Sequence, residues 1–119
     1  MRLTLAEQLL LIATHDQKGS KLMAASTALP YGIAGGLLLE ASMGGKLMWR
    51  EKRLAVIDRS PTGDALIDEA LEQIATAPKE RDAKYWVSRL ARKIKKIERR
   101  TSESLVEKGV LRHEEKHFL

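Results

Sequence analysis

Residues 81–109 read RDAKYWVSRLARKIKKIERRTSESLVEKG, and this stretch decides between a helical chain and a mixed one. Trp86, Leu90, Ile94 and Ile97 recur at three- and four-residue spacing, the period of a helix with one buried stripe. The pattern predicts a long helix from about Arg81, broken near Thr101-Ser102 and capped at Gly109. Opposite the stripe, Arg89, Arg92, Lys93, Lys96 and Arg100 would share one face. Lys95 and Arg99 complete the run, and Glu98 is the single acid within it. A row of cations on one helix face suits a ligand with several anionic oxygens, with arginine offering forks and lysine point charges. The alternative is a solvated face, but surfaces built for solubility mix the two signs. Tyr85 and Trp86 precede the run, and Trp86 falls on the apolar stripe.

The rest of the chain predicts a mainly α fold, a helical bundle with one or two short β-hairpins. Thr4 and Glu7 form a capping box for a helix over about 5–15. Residues 20–28 are undecided between a helical turn and loop. Leu29-Pro30 opens the next helix, since proline is tolerated in a first turn. That helix carries Ile33, Leu37, Leu38 and Met43 and ends at Gly44-Gly45, while Gly35 and Gly36 allow another backbone to approach. Residues 46–50 and 53–57 read as two strands around Glu51-Lys52. Thr62 is the expected cap of a third helix, with Asp64 favourable at its positive end. Its buried face is Ala65, Leu66, Ala70, Leu71 and Ile74, and Ala77-Pro78 stops it. Val110 to Leu119 reads as the first arm of a second hairpin.

Composition narrows function further. The 119 residues are 44% hydrophobic and 31% charged, which fits one small globular domain. Cysteine is absent, which removes disulfides, thiolate metal sites and cysteine nucleophiles. Glu7 interrupts any secretory core, and no apolar run reaches the length of a membrane span. The net charge of +5 is localised: residues 1–79 hold 9 basic and 9 acidic side chains, residues 80–119 hold 12 and 7. Localised charge steers anions better than the same charge spread evenly. His113 and His117 satisfy the letters of H-E-x-x-H, but the expected stop at Gly109 denies them the helix that a zinc site needs. Asp64, Asp68, Glu69 and Glu72 lie on an amphipathic helix as surface charge. No nucleophile elbow or nucleotide loop is present, so neither catalysis nor a cofactor or metal is expected.

Four segments, in order, resemble the Golgi phosphoprotein 3 family. They are Leu3-Thr4-Leu5-Ala6-Glu7, Gly35-Gly36-Leu37-Leu38-Leu39-Glu40, Pro61-Thr62-Gly63-Asp64 running into Leu66-Ile67-Asp68-Glu69-Ala70-Leu71, and Leu105-Val106-Glu107-Lys108-Gly109-Val110-Leu111. The resemblance implies a helical bundle with β-hairpins and a peripheral role in the cytoplasm, at the Golgi in eukaryotes. Family members there bind phosphatidylinositol 4-phosphate and help retain glycosyltransferases, so protein cargo is also implied. The family's lipid-pocket tryptophan and first arginine fall near Ala25 and Ala34, and its two later arginines near Lys95 and Glu98. General anion binding is therefore expected to outlast phosphoinositide specificity. Residues 1–119 resemble the N-terminal portion of a longer domain, and an edge left by shortening would favour homo-oligomers.

The sequence thus favours a peripheral membrane adaptor binding anionic lipid through Arg89, Arg92, Lys93, Lys95, Lys96, Arg99 and Arg100. The alternatives are a nucleic-acid-binding helical module and a protein-interaction scaffold without anion binding. Nucleic acid is disfavoured because the hairpin at 46–57 precedes the basic helix instead of following a recognition helix.

Overall fold

Local caps start three of the helices in the computed structural model, which describes residues 2–14, 19–94 and 96–110, with backbone alone for 13, 14 and 19–27. Helix α1 (Leu5–Thr14) begins with the predicted capping box. The Thr4 amide donates to Glu7 Oε1 at 2.8 Å, and the Glu7 amide donates to Thr4 Oγ1 at 3.2 Å. Helix α2 (Gly19–Met43) starts earlier than Leu29-Pro30 and carries Pro30 in its interior. Proline there forfeits a ladder bond and crowds the preceding turn. The buried positions Leu29, Ile33, Leu37 and Ala41 run at four-residue spacing straight through it. Packing of this stripe outweighs the local cost, which is why the proline does not mark the helix start.

A short antiparallel hairpin follows, β1 (Leu47–Arg50) with β2 (Arg53–Val56), in the predicted place. Its turn residues Glu51 and Lys52 sit at φ 51° and 67°, the left-handed pair that matches the twist of two-residue hairpins. Beyond it, Asp58 accepts from the Ser60 hydroxyl and amide and from Lys46, which hold its carboxyl down at about 2. Helix α3 (Ala65–Ala75) is capped by Asp64, whose Oδ1 accepts the Ile67 amide at 3.0 Å. The cap is therefore Asp64 and not Thr62. Gly63, at φ 91°, redirects the chain and leaves Thr62 to bond Asp68 Oδ1 through both its amide and its hydroxyl.

The stretch 81–109 forms two helices, α4 (Ala83–Lys93) and α5 (Ile97–Glu107). The predicted single helix is corrected here, and so is the position of its break. Ile94 is extended at φ −81°, ψ 105°, and Lys96 is left-handed at φ 56°. Thr101 and Ser102, where a break was expected, are fully buried within α5. A continuous helix would stack Arg89, Arg92, Lys93, Lys96, Arg99 and Arg100 at three- and four-residue spacing, and each such like-charge pair is destabilising. Breaking the ladder separates them. It also lets α4 pack along α2 while α5 turns back onto α1, α2 and α3. Val110 is described, but the rest of the predicted second hairpin, 111–119, lies outside the described residues.

Trp86, Leu10, Ile33, Leu37, Leu54, Leu90, Ile94 and Leu105 fill the centre. The α1–α2 crossing depends on Gly36 and not on Gly35. A Cβ on Gly36 would stand 3.1 Å from both the Cα and the N of Ala6, whereas one on Gly35 meets nothing within 4 Å. The two substitutions should therefore act oppositely. Gly35→Ala gains helix propensity and raises stability by about 0.5–1 kcal/mol. Gly36→Ala pushes two backbones apart, a cost of about 1–3 kcal/mol that outweighs the same gain. Thermal unfolding of the two variants checks this; a common direction would refute it.

Candidate functional site

Asp82 starts α4 by accepting the Tyr85 amide on Oδ1 at 2.8 Å, leaving Lys84 onward to helical spacing. Trp86 and Leu90 turn inward, so the cations turn outward. Six ion pairs occur among the described residues, and their cations are Arg2, Lys46, Arg50, Arg59, Arg100 and Lys108. None of these lies between 84 and 99. The side chains of Lys93, Lys96 and Arg99 are exposed and have neither hydrogen bond nor ion pair among the described residues. Arg92 is exposed and, among the described residues, its side chain donates only to the Ser88 carbonyl, at 3.1 Å. Arg89, half-buried, donates to the Tyr85 hydroxyl at 3.4 Å.

The predicted set of seven therefore divides. Arg100 is engaged, because its Nη1 meets Glu69 Oε2 at 2.5 Å across to α3. Arg89, Arg92 and Lys93 lie on α4, and Lys96 and Arg99 lie at and after the elbow. Lys95 lies outside the described residues. The five described cations other than Arg100 thus flank a bend instead of sharing one helical face. Within the run, Glu98 is the single acid among the described residues, and burial pushes its half-buried carboxyl up. Cations clustered without acidic partners are the arrangement that attracts an anionic surface.

The positions matched to the family's lipid pocket differ in environment. Ala34 faces the core with no exposure, and Glu98 sits in the first turn of α5. The side chain of Ala25 is outside the described set. The helix α3 carboxylates all have structural work: Asp64 caps, Asp68 accepts from Thr62, Glu69 pairs with Arg100, and Glu72 meets Arg59 at 3.5 Å. His15, His113 and His117 lie outside the described residues. Among those described, no group of three metal-ligating side chains occurs.

Sequence reasoning missed two features, one ahead of α4 and one at the end of α5. Arg81 stacks on the Tyr85 ring at 3.9 Å, adding a cation ahead of the run. Glu7, buried at 2% exposure, receives the Ser104 hydroxyl from α5 and, at 2.5 Å, Lys108 from its C-cap. It forms one wall of a cleft of about 550 Å³ that also includes Arg100, Asp64, Glu103 and Glu107. Mixed charge at that cleft contrasts with the cations of the elbow, which are free of ion pairs among the described residues. Only the capping-box half of the Glu7 contacts had a local signal.

Among the described residues, helices packed on one long central helix, with one hairpin and a cationic elbow free of ion pairs, define a mainly α domain with one strongly basic face. The chain belongs to the Golgi phosphoprotein 3 family: the family described as Golgi phosphoprotein 3 (GPP34) matches residues 5–119. It is similar to vacuolar protein sorting-associated protein 74 of Schizosaccharomyces pombe (strain 972 / ATCC 24843), with 28% identity over 138 aligned residues. That alignment covers 99% of this chain and 41% of the relative, so the chain spans about two fifths of the relative's length. Among the described residues, no helix is long and apolar enough to cross a membrane.

Proposed function

We propose that this protein is a peripheral membrane adaptor that docks its α4–α5 elbow on anionic lipid headgroups. Arg92, Lys96 and Arg99 form the contact, whereas Arg89 and Lys93 line the flank of α4 that faces the end of α3. Arg100 is at the margin because Glu69 already holds it. The observation that carries this reading is the absence of any ion-paired cation between 84 and 99 among the described residues. Such side chains keep their full charge for an external partner, at about 1 kcal/mol per cation near an anionic surface. Family membership supports a Golgi-related membrane. The relative's name, vacuolar protein sorting-associated protein 74, supports a role in protein sorting and thus a protein cargo.

The loss of family residues at Ala25, Ala34 and Glu98 favours recognition by charge over recognition of one phosphoinositide. Cosedimentation with phosphatidylcholine vesicles, with and without phosphatidylserine or phosphatidylinositol 4-phosphate, tests both points. Both anionic vesicle types should pellet the protein comparably at matched surface charge, and salt should release it. Equal pelleting with neutral vesicles would reject the proposal. Strong preference for the phosphoinositide would reject the charge-only mode.

A further inference from the structure

Beside the elbow lies a groove of about 420 Å³ between the end of α3 and the flank of α4. Gln73 and Pro78 form one wall, Tyr85, Arg89 and Lys93 the other, and Trp86 lies at its base. No carboxylate lines it among the described residues. Trp86 is 1% exposed, its ring meets Tyr85 edge-on at 5.1 Å, and its indole N–H has no acceptor among the described residues. Arg89 is held in place by the Tyr85 hydroxyl, which uses one of its five N–H donors and leaves the others for a ligand.

We infer that this groove binds an extended acidic segment of a partner protein, with an apolar residue followed by two acids at alternate positions. Tyr85, Arg89 and Lys93 follow one another at four-residue spacing, so each step along α4 is about 6 Å. In an extended peptide, side chains on one face repeat about every 6.6 Å. The two periods match over three positions. The first carboxylate meets the Arg89 fork, the second meets the Lys93 ammonium, and the preceding apolar side chain packs on Tyr85 and Pro78. A phosphate headgroup fits this wall less well, because it needs donors converging on one point and has no use for the apolar end. The Gln73 amide faces the same groove from α3.

The test uses the full chain carrying Trp49→Phe, which leaves Trp86 as the single indole in a ¹H–¹⁵N spectrum. Added ligands are a synthetic peptide with the pattern leucine-x-glutamate-x-glutamate, its glutamine analogue, and an isomer with adjacent glutamates. The alternating peptide should move the Trp86 indole resonance; the isomer should bind about tenfold more weakly, the equivalent of one charged contact, and the glutamine analogue, which loses both contacts, about a hundredfold more weakly. Gln73→Glu, which adds a carboxylate without touching the cations, should weaken the alternating peptide about tenfold. No indole shift, or equal binding of the isomer with adjacent acids, overturns the inference. So does competition by phosphatidylserine vesicles that produce the same indole shift, since the groove would then be part of the lipid contact.

Discussion

Replacing the three exposed elbow cations together, as Arg92→Gln, Lys96→Gln and Arg99→Gln, should lower affinity for phosphatidylserine vesicles about a hundredfold. Each cation near an anionic surface contributes about 1 kcal/mol, and 1.4 kcal/mol is a factor of ten. The same triple variant should show a shallower dependence on salt, because fewer charges remain to be screened. Arg100→Gln supplies the contrast. Its guanidinium is committed to Glu69, so vesicle affinity should fall only a fewfold while stability falls by up to about 1 kcal/mol, the range for a partly exposed pair. Unfolding of the triple variant should match that of the parent, since none of the three has an ion pair among the described residues. A triple variant that still pellets like the parent would remove the elbow from the function.

The division between Arg100 and its neighbours was not readable from the chain. Arg100 and Glu69 are 31 residues apart, and nothing local ties an arginine in one charge run to one acid in another. The bend itself was hidden for a related reason. Helix stops are read from glycine and proline, and here the left-handed residue is Lys96, a poor candidate for positive φ that tertiary packing nevertheless places there. Pro30 misled in the opposite sense, because its local cost is visible in sequence and the compensating burial of Leu29, Ile33 and Leu37 is not. What did carry through was short-range. The Thr4–Glu7 box spans three residues, the hairpin is closed by two, and the core positions of Trp86, Leu90, Ile94 and Ile97 follow from periodicity alone. The basic composition of the elbow was legible, but its geometry was not.

Glu7→Ala should be strongly destabilising, with a loss of about 3 kcal/mol and a fall in Tm of roughly 10 °C. The carboxylate is 2% exposed and joins the start of α1 to the last turn of α5 through Thr4, Ser104 and Lys108. Removing it leaves the Ser104 hydroxyl and the Lys108 ammonium facing a void. Lys108 keeps 28% side-chain exposure and recovers part of its hydration, which holds the cost to the lower end for a broken buried pair. In a Lys108→Met background the same substitution should cost about 1–2 kcal/mol less, because the stranded charge is gone. Acid gives an independent reading. Burial raises the Glu7 carboxyl, but hydrogen bonds from Lys108, Ser104 and Thr4 and the Lys108 charge outweigh it, so its pKa lies below the ordinary 4.5. The unfolded chain therefore takes up the proton first. The stability from ionised Glu7 is complete above about pH 4.5 and is lost as pH falls through the lower folded-state value. Glu98 works in reverse, since burial raises its carboxyl and protonation relieves an unfavourable charge at higher pH. Urea unfolding from pH 6 downward should then show little loss, or a slight gain, before a decline below about 4.5. Glu7→Gln should remove the part of that decline that begins near pH 4.5 while keeping the side chain's shape, and the loss from Asp58, held at about 2, remains at lower pH. A Glu7→Gln protein with the parent's full acid slope would show that other carboxylates, and not this inter-helix tie, set the acid limit of the fold.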